Sequence, residues 1–229
     1  MSNTVNKSQQ GYVSTTYQST ELSTKAIVLM AHGAGAGNQH EFMDAYCSAL
    51  ADKGIKVISF NFDYMQTMYE TNKRRPPNSN KQLVAQYIKQ IESLDNTLPV
   101  FIAGKSMGGR IASQIAADKD ICNKLTGCIA LGYPFMPPGK PEKIIDRTAH
   151  FSQLAIPLLI NQGERDTFGS SVTLGTERHK TMLSAPFVEL SWIPSGDHSF
   201  KPLKSSGTSL ENNINLAAEN SYNFINRLI

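Results

Sequence analysis

The segment Gly104-Lys105-Ser106-Met107-Gly108 follows a short apolar run, residues 99–103, and leads directly into Ile111, Ala112, Ile115 and Ala116, which recur at helical spacing. Apolar run, glycine-flanked turn and one-faced apolar segment predict a buried strand, a sharp turn and a helix, in that order. Such a turn lifts a serine hydroxyl above the edge of a sheet, and the glycines on either side leave room for a strained backbone. Gly-x-Ser-x-Gly in this setting is the pattern of a nucleophile elbow, a site for acyl transfer. The same letters contain Gly-Lys-Ser, the end of a phosphate-binding loop, but that loop needs a glycine where Pro99 stands, so the phosphate reading falls.

The rest of the chain repeats the alternation. Apolar runs at 26–31, 56–60, 99–103, 125–131, 157–161 and 187–193 predict strands, and their continuity suits strands covered on both faces. Between and after them, Phe42, Ala45, Tyr46, Ala49 and Leu50 form one helical face, Leu83, Val84, Tyr87, Ile88 and Ile91 a second, and Leu210, Ile214, Ala217, Ile225 and Leu228 a closing one. The prediction is an α/β chain: a mostly parallel sheet with helices on both faces. With 229 residues and no linker-like stretch, residues 11–229 read as one domain. Residues 11–18 alternate weakly and predict an edge hairpin strand, and residues 1–10 read as a disordered tail. Residues 62–80 and 132–150 lack periodicity and read as long loops at the carboxyl ends of strands, walling a pocket. The gap between the strand ending near Leu131 and the one starting at Pro157 is too short for a separate lid domain.

Composition narrows the partners. Hydrophobic residues make up 40% of the chain and charged residues 18%, as in ordinary globular proteins, and a net charge of +3 is too dispersed for nucleic acid, leaving a small molecule as the expected partner. The polar first twenty residues hold no export signal, and no run approaches the eighteen apolar residues of a membrane span, so a cytoplasmic protein without membrane association is expected. Cys47, Cys122 and Cys128 form no Cys-x-x-Cys pair and read as buried free thiols. No His-Glu-x-x-His or clustered carboxylates appear, so neither a metal nor a cofactor is expected.

A serine hydroxyl is a weak nucleophile at neutral pH and needs a base, which in turn needs a group to fix its tautomer. After the strand at 157–161 comes Asp166, and after the strand at 187–193 comes His198, both on turn-rich segments at the sheet edge that presents Ser106. The order serine, acid, histidine is that of α/β-hydrolases. Glu164 is a rival acid, whereas Asp197, adjacent to His198, is better placed to fix its own turn. His40 and His179 fall in helical patterns and read as surface or satisfied residues, and His150 ends the proline-rich loop. The amide of Met107, next to the serine, is one expected oxyanion donor. The loop His32-Gly33-Ala34-Gly35 supplies the other, Ala34 or else Gly33. A dinucleotide fingerprint there would need glycine at position 38, which is Asn38.

Several strings resemble one family more specifically: Ala31-His-Gly-Ala-Gly35, Phe60-Asn-Phe-Asp-Tyr-Met65, Arg74-Arg-Pro-Pro77, Gly104-Lys-Ser-Met-Gly-Gly-Arg110, the Gly-Tyr-Pro-Phe string from Gly132 to Glu142, residues 162–169 and Gly196-Asp-His198. They resemble the predicted hydrolases that include the testis-expressed hydrolase-like proteins and the hydrolase-like subunit of the non-specific-lethal chromatin complex. The resemblance implies an α/β-hydrolase fold with Ser106, Asp166 and His198 as its triad. Asp63 and Met136 depart from the family pattern, where proline and histidine stand. The expected activity is hydrolysis of a small carboxylic ester or thioester through an acyl-enzyme, with Tyr64, Met65, Tyr133 and Phe135 lining an apolar pocket and Arg75 available to a substrate carboxylate. A non-catalytic hydrolase-like scaffold and an acyltransferase using the same three residues are the alternatives.

Overall fold

The computed structural model describes residues 5–10, 14–94, 97–176 and 185–229. Its centre is an eight-stranded sheet in the order β1-β2-β4-β3-β5-β6-β7-β8. The continuous apolar runs became the inner strands. β3 (Ala26–Ala31), β5 (Val100–Lys105), β6 (Gly127–Leu131) and β7 (Leu158–Gly163) are buried along their whole length. Together with β4 (Ile55–Phe60) and the edge strand β8 (Val188–Ile193) they run parallel. β8 is mostly only half-buried, as an edge position allows.

β2 (Ser14–Ser19) adds antiparallel to β4, and β1 (Val5–Gln10) pairs antiparallel with β2 from Val5 opposite Ser19 to Gln10 opposite Ser14. A strand expected over 11–18 is present as β2 over its described part, although β1 and not β2 takes the sheet edge and residues 11–13 lie outside the described residues, and the disordered tail expected over 1–10 is corrected for residues 5–10. Pairing at a sheet edge is made by backbone N–H and C=O groups, so a polar segment can join it without the apolar alternation that announces a strand. Residues 1–4 lie outside the described residues.

Helices cover both faces. α1 (Glu41–Ala51) and α8 (Leu210–Leu228) pack on one, over a core that includes Val28, Met30, Tyr46, Leu50, Phe101 and Ile225. α3 (Asn80–Glu92) and α4 (Met107–Ile115) pack on the other, over Leu29, Phe60, Tyr87, Ile102 and Ile160. Their starts are capped as their sequences suggest: Ser79 and Gln82 form a capping box on α3, and the Ser209 hydroxyl accepts the Asn212 amide on α8.

The segment 62–80 is not all loop. Its first half is a helix, α2 (Asp63–Thr71), which ends at Asn72 in the left-handed conformation, φ 52°. Only Tyr64 and Met65 are buried on it, and two adjacent residues cannot produce a helical period. Likewise 132–150 contains a 3-10 turn at Pro141–Lys143 and α6 (Ile144–Thr148), following the short α5 (Lys119–Cys122), and a further short helix, α7 (Ser171–Leu174), comes after β7. Between β6 and β7 these short pieces pack onto the core through Ile144 and Phe151 and build no lid domain. Cys47, Cys122 and Cys128 are buried and take part in no disulfide among the described residues.

Candidate active site

β5 ends at Lys105 and α4 starts at Met107, leaving Ser106 alone to reverse the chain, with φ 51° and ψ −113°. A non-glycine residue in that region costs about 1–3 kcal/mol and persists where its surroundings dictate it. The surroundings here are close backbone contacts that only glycine permits. A Cβ on Gly108 would fall 2.6 Å from the carbonyl oxygens of Ala31 and His32, and one on Gly104 would overlap the backbone of Gly108. The start of α4 thus lies against the ends of β3 and β5, and the serine side chain projects from the corner.

His198 Nε2 lies 2.9 Å from Ser106 Oγ, and His198 Nδ1 lies 2.8 Å from Asp166 Oδ2. A carboxylate can only accept, so Nδ1 carries the proton and Nε2 is left to accept from the serine hydroxyl. Asp166 is fully buried. Its other oxygen accepts the Phe168 amide at 2.8 Å, and Oδ2 also accepts from Gln162 Nε2 at 2.9 Å. Gln162 holds more than the acid: its oxygen accepts the Tyr133 amide at 2.7 Å and its nitrogen lies 3.1 Å from the Gly169 carbonyl, fastening the ends of β6 and β7 together. The Phe168 ring packs on the imidazole with centroids 4.4 Å apart. The rival acids are engaged elsewhere. Glu164 accepts the Ser195 amide at 2.7 Å, and Asp197 accepts the amides of Ser199 and Lys201, fixing its own turn.

The loop after β3 is held from below. His32 is fully buried, with Nδ1 2.6 Å from the Gly33 carbonyl and Nε2 accepting the Phe62 amide at 3.1 Å. Burial pulls its pKa down to about 4, so the imidazole is neutral, donating on one side and accepting on the other. The Tyr64 hydroxyl lies 3.2 and 3.0 Å from the carbonyls of Gly33 and Ala34. With these carbonyls engaged, the loop amides are its remaining donors; among the described residues no backbone acceptor pairs with the amide of Ala34 or Met107. The Met107 amide belongs to the first turn of α4, whose N–H groups have no partner within the helix.

A cavity of roughly 320 Å3 opens over Ser106, walled by residues 33–36, Phe42, Met43, Phe168 and His198. The apolar wall expected from Tyr64, Met65, Tyr133 and Phe135 is corrected, since all four are buried in the core and none lines this cavity. Tyr133 packs against Phe135 and Phe151, its amide is taken by Gln162 and its hydroxyl donates to the Arg147 carbonyl. Tyr64 supports the loop rather than the pocket. Arg75 is exposed and lines a separate cavity with Asp63 and Gln82. His40 caps α1, its Nδ1 accepting the Phe42 amide, and its residue also borders the cavity. His150 pairs with Ser113 at 2.8 Å, kept neutral by burial and by Arg110, which bring its pKa to about 4. His179 lies outside the described residues.

Sequence reasoning passed over Lys105, the variable residue between the elbow's first glycine and the serine. It is 8% exposed, its Nζ donates to the His198 carbonyl at 2.8 Å and lies 5.4 Å from the Phe42 ring centroid. Burial draws its pKa down to about 8 against the pull of Asp166 and Asp197. Phe42 was read only as part of a helical face and Met43 not at all, though the start of a helix a few residues after the Gly33–Ala36 loop was the available signal.

The profile of the alpha/beta hydrolase domain matches residues 24–226. Comparison with curated proteins gives no match. Among solved structures, the chain is similar to Est1E from Butyrivibrio proteoclasticus, with a TM-score of 0.63 and 15% identity over 98% of this chain and 100% of that one. It is also similar to an alpha-beta serine hydrolase homologue from Coxiella burnetii, TM-score 0.64 and 18% identity over 96% and 98% of the two chains. A third likeness is to a monoacylglycerol lipase from Paleococcus ferrophilus, TM-score 0.65 and 12% identity over 96% and 99%. At these identities the likeness is one of fold. Among the described residues no helix is long and apolar enough to cross a membrane.

Proposed function

The chain belongs to the alpha/beta hydrolase domain family, and from that premise we propose that it is a serine hydrolase cleaving a small carboxylic ester or thioester through an acyl-enzyme on Ser106. The observation that carries the reading is the continuous hydrogen-bonded chain from Ser106 through His198 to the buried Asp166. In the proposed reaction the Ser106 oxygen attacks the carbonyl carbon while its proton passes to His198 Nε2. The carbonyl oxygen, now negative, takes hydrogen bonds from the amides of Ala34 and Met107, with Gly33 as the neighbouring donor. The imidazolium, stabilised by Asp166, then gives its proton to the departing alkoxide or thiolate. Water enters, loses a proton to the same nitrogen and releases the acid, restoring Ser106.

The finer resemblance carried by Arg74-Arg-Pro-Pro77 and the Gly132–Glu142 string points within the family to the testis-expressed hydrolase-like group. Intact-mass detection of fluorophosphonate labelling tests the reading. Wild type should gain one adduct, which Ser106→Ala abolishes. A folded wild type that takes no adduct would replace the hydrolase by a non-catalytic scaffold. An acyl-enzyme that forms yet resists water until an alcohol or amine acceptor is added would make it an acyltransferase.

A further inference from the structure

The cavity over Ser106 adjoins another at Phe42. A second cavity of roughly 400 Å3 begins at His40, Phe42 and Ser199, three residues common to both, and extends between α1 and the first turns of α8. Its walls are Ala45 on the outer side of α1, the nearly buried Ile214, and Leu210, which is left 42% exposed at the mouth. The charged residues on it are Glu41 and Glu211, with no lysine or arginine among its lining residues. Such a cleft gives an aliphatic chain a continuous surface to leave water for, and its two carboxylates repel an anionic end.

The geometry points to a substrate with an uncharged apolar arm that runs from the ester carbon at Ser106 across Phe42 into the cleft between α1 and α8. This rests on the hydrolase reading and narrows its substrate class to esters or thioesters with a medium-length alkyl or aryl group on one side of the scissile bond. Ser199, next in the chain to His198, lines both cavities, so the arm leaves the site close to the histidine that protonates the leaving group. Both the acyl and the alcohol side are therefore tested.

Two ester series separate them: p-nitrophenyl esters from acetate to octanoate, and acetates from methyl to octyl. In one series kcat/KM should rise with chain length, by up to about fourfold for each methylene that becomes fully buried. That series identifies the arm. Ala45→Trp, which fills the cleft from an exposed helix position, should lower the ratio of long-chain to short-chain kcat/KM at least tenfold in that series. Leu210→Glu, also at an exposed position, should lower the same ratio. A length profile that is flat in both series, or one that rises and is indifferent to both substitutions, would overturn the inference while short-ester turnover leaves the hydrolase reading standing. A wild type that turns over no ester and takes no fluorophosphonate would overturn both.

Discussion

Replacing His32 by glutamine should alter how stability depends on pH more than it alters stability at neutral pH. The wild-type imidazole is buried, donates to the Gly33 carbonyl and accepts the Phe62 amide, and stays neutral down to about pH 4 against an ordinary value of 6.5. Between those values the unfolded chain binds a proton that the folded chain refuses, so acid favours unfolding. Stability from this group is complete above pH 6.5 and lost as pH falls towards 4. At about 1.4 kcal/mol per pH unit, the loss on moving from pH 7.5 to pH 5 is about 2 kcal/mol. Urea unfolding followed by the single tryptophan, Trp192 on β8, reads the change at each pH. His150, also held neutral, loses stability over the same window, but it does so in wild type and variant alike and drops out of the comparison. The glutamine variant should therefore lose about 2 kcal/mol less than wild type between the two pH values. Equal losses in the two proteins would refute the claim that a neutral imidazole supports the loop.

Asp166→Asn should leave the circular dichroism spectrum unchanged and lower kcat by about 10⁴, because an amide at this position can hold the wrong tautomer of His198; near-normal turnover would remove Asp166 from the relay. Gly108→Ala should cost about 1–3 kcal/mol in urea unfolding, since the new methyl meets two carbonyl oxygens at 2.6 Å, and fluorophosphonate labelling of Ser106 should slow with it. Lys105 has a pKa drawn down to about 8 from 10.5, so between pH 8 and pH 10, where the unfolded wild-type chain holds the extra proton, wild type should gain stability relative to Lys105→Met, read from the urea midpoints of both proteins. The buried Cys122 and Cys128 thiols, whose pKa values burial pushes up, act in the opposite direction in both proteins and cancel from the comparison, and Lys105→Met should lower kcat through the lost bond to the His198 carbonyl.

What could be read from the letters follows from how far each feature depends on distant parts of the chain. The inner strands were legible because β3, β5, β6 and β7 are covered on both faces and so are apolar at every residue. The elbow was legible because its strain and its glycines are local, and Asp166 and His198 because each follows its own strand at one sheet edge. β1 was not, because edge pairing asks little of side chains. α2 was not, because it buries only Tyr64 and Met65. The pocket wall was misread for a related reason: an aromatic residue near the carboxyl end of a strand can face the cavity or the core, and only the packing of Phe151 and Phe135 against Tyr133 decides that it faces the core.

The Gln162 side chain uses both ends of its amide, taking the Tyr133 N–H on its oxygen and reaching Asp166, Gly169 and the Tyr133 carbonyl with its nitrogen. Glutamate would bring a second carboxylate against Asp166 with no proton to donate, asparagine would fall a methylene short, and an apolar residue would orphan a buried amide. The wiring of the relay therefore tolerates almost no drift. The pocket wall is carried by other parts of the chain, by Phe42 and Met43 on α1 and by Ala45, Leu210 and Ile214 beyond them. On the proposed reading, chemistry and selectivity rest on separate stretches of the chain, so substitutions along the cleft would retune the choice of substrate without disturbing the residues that break its bond.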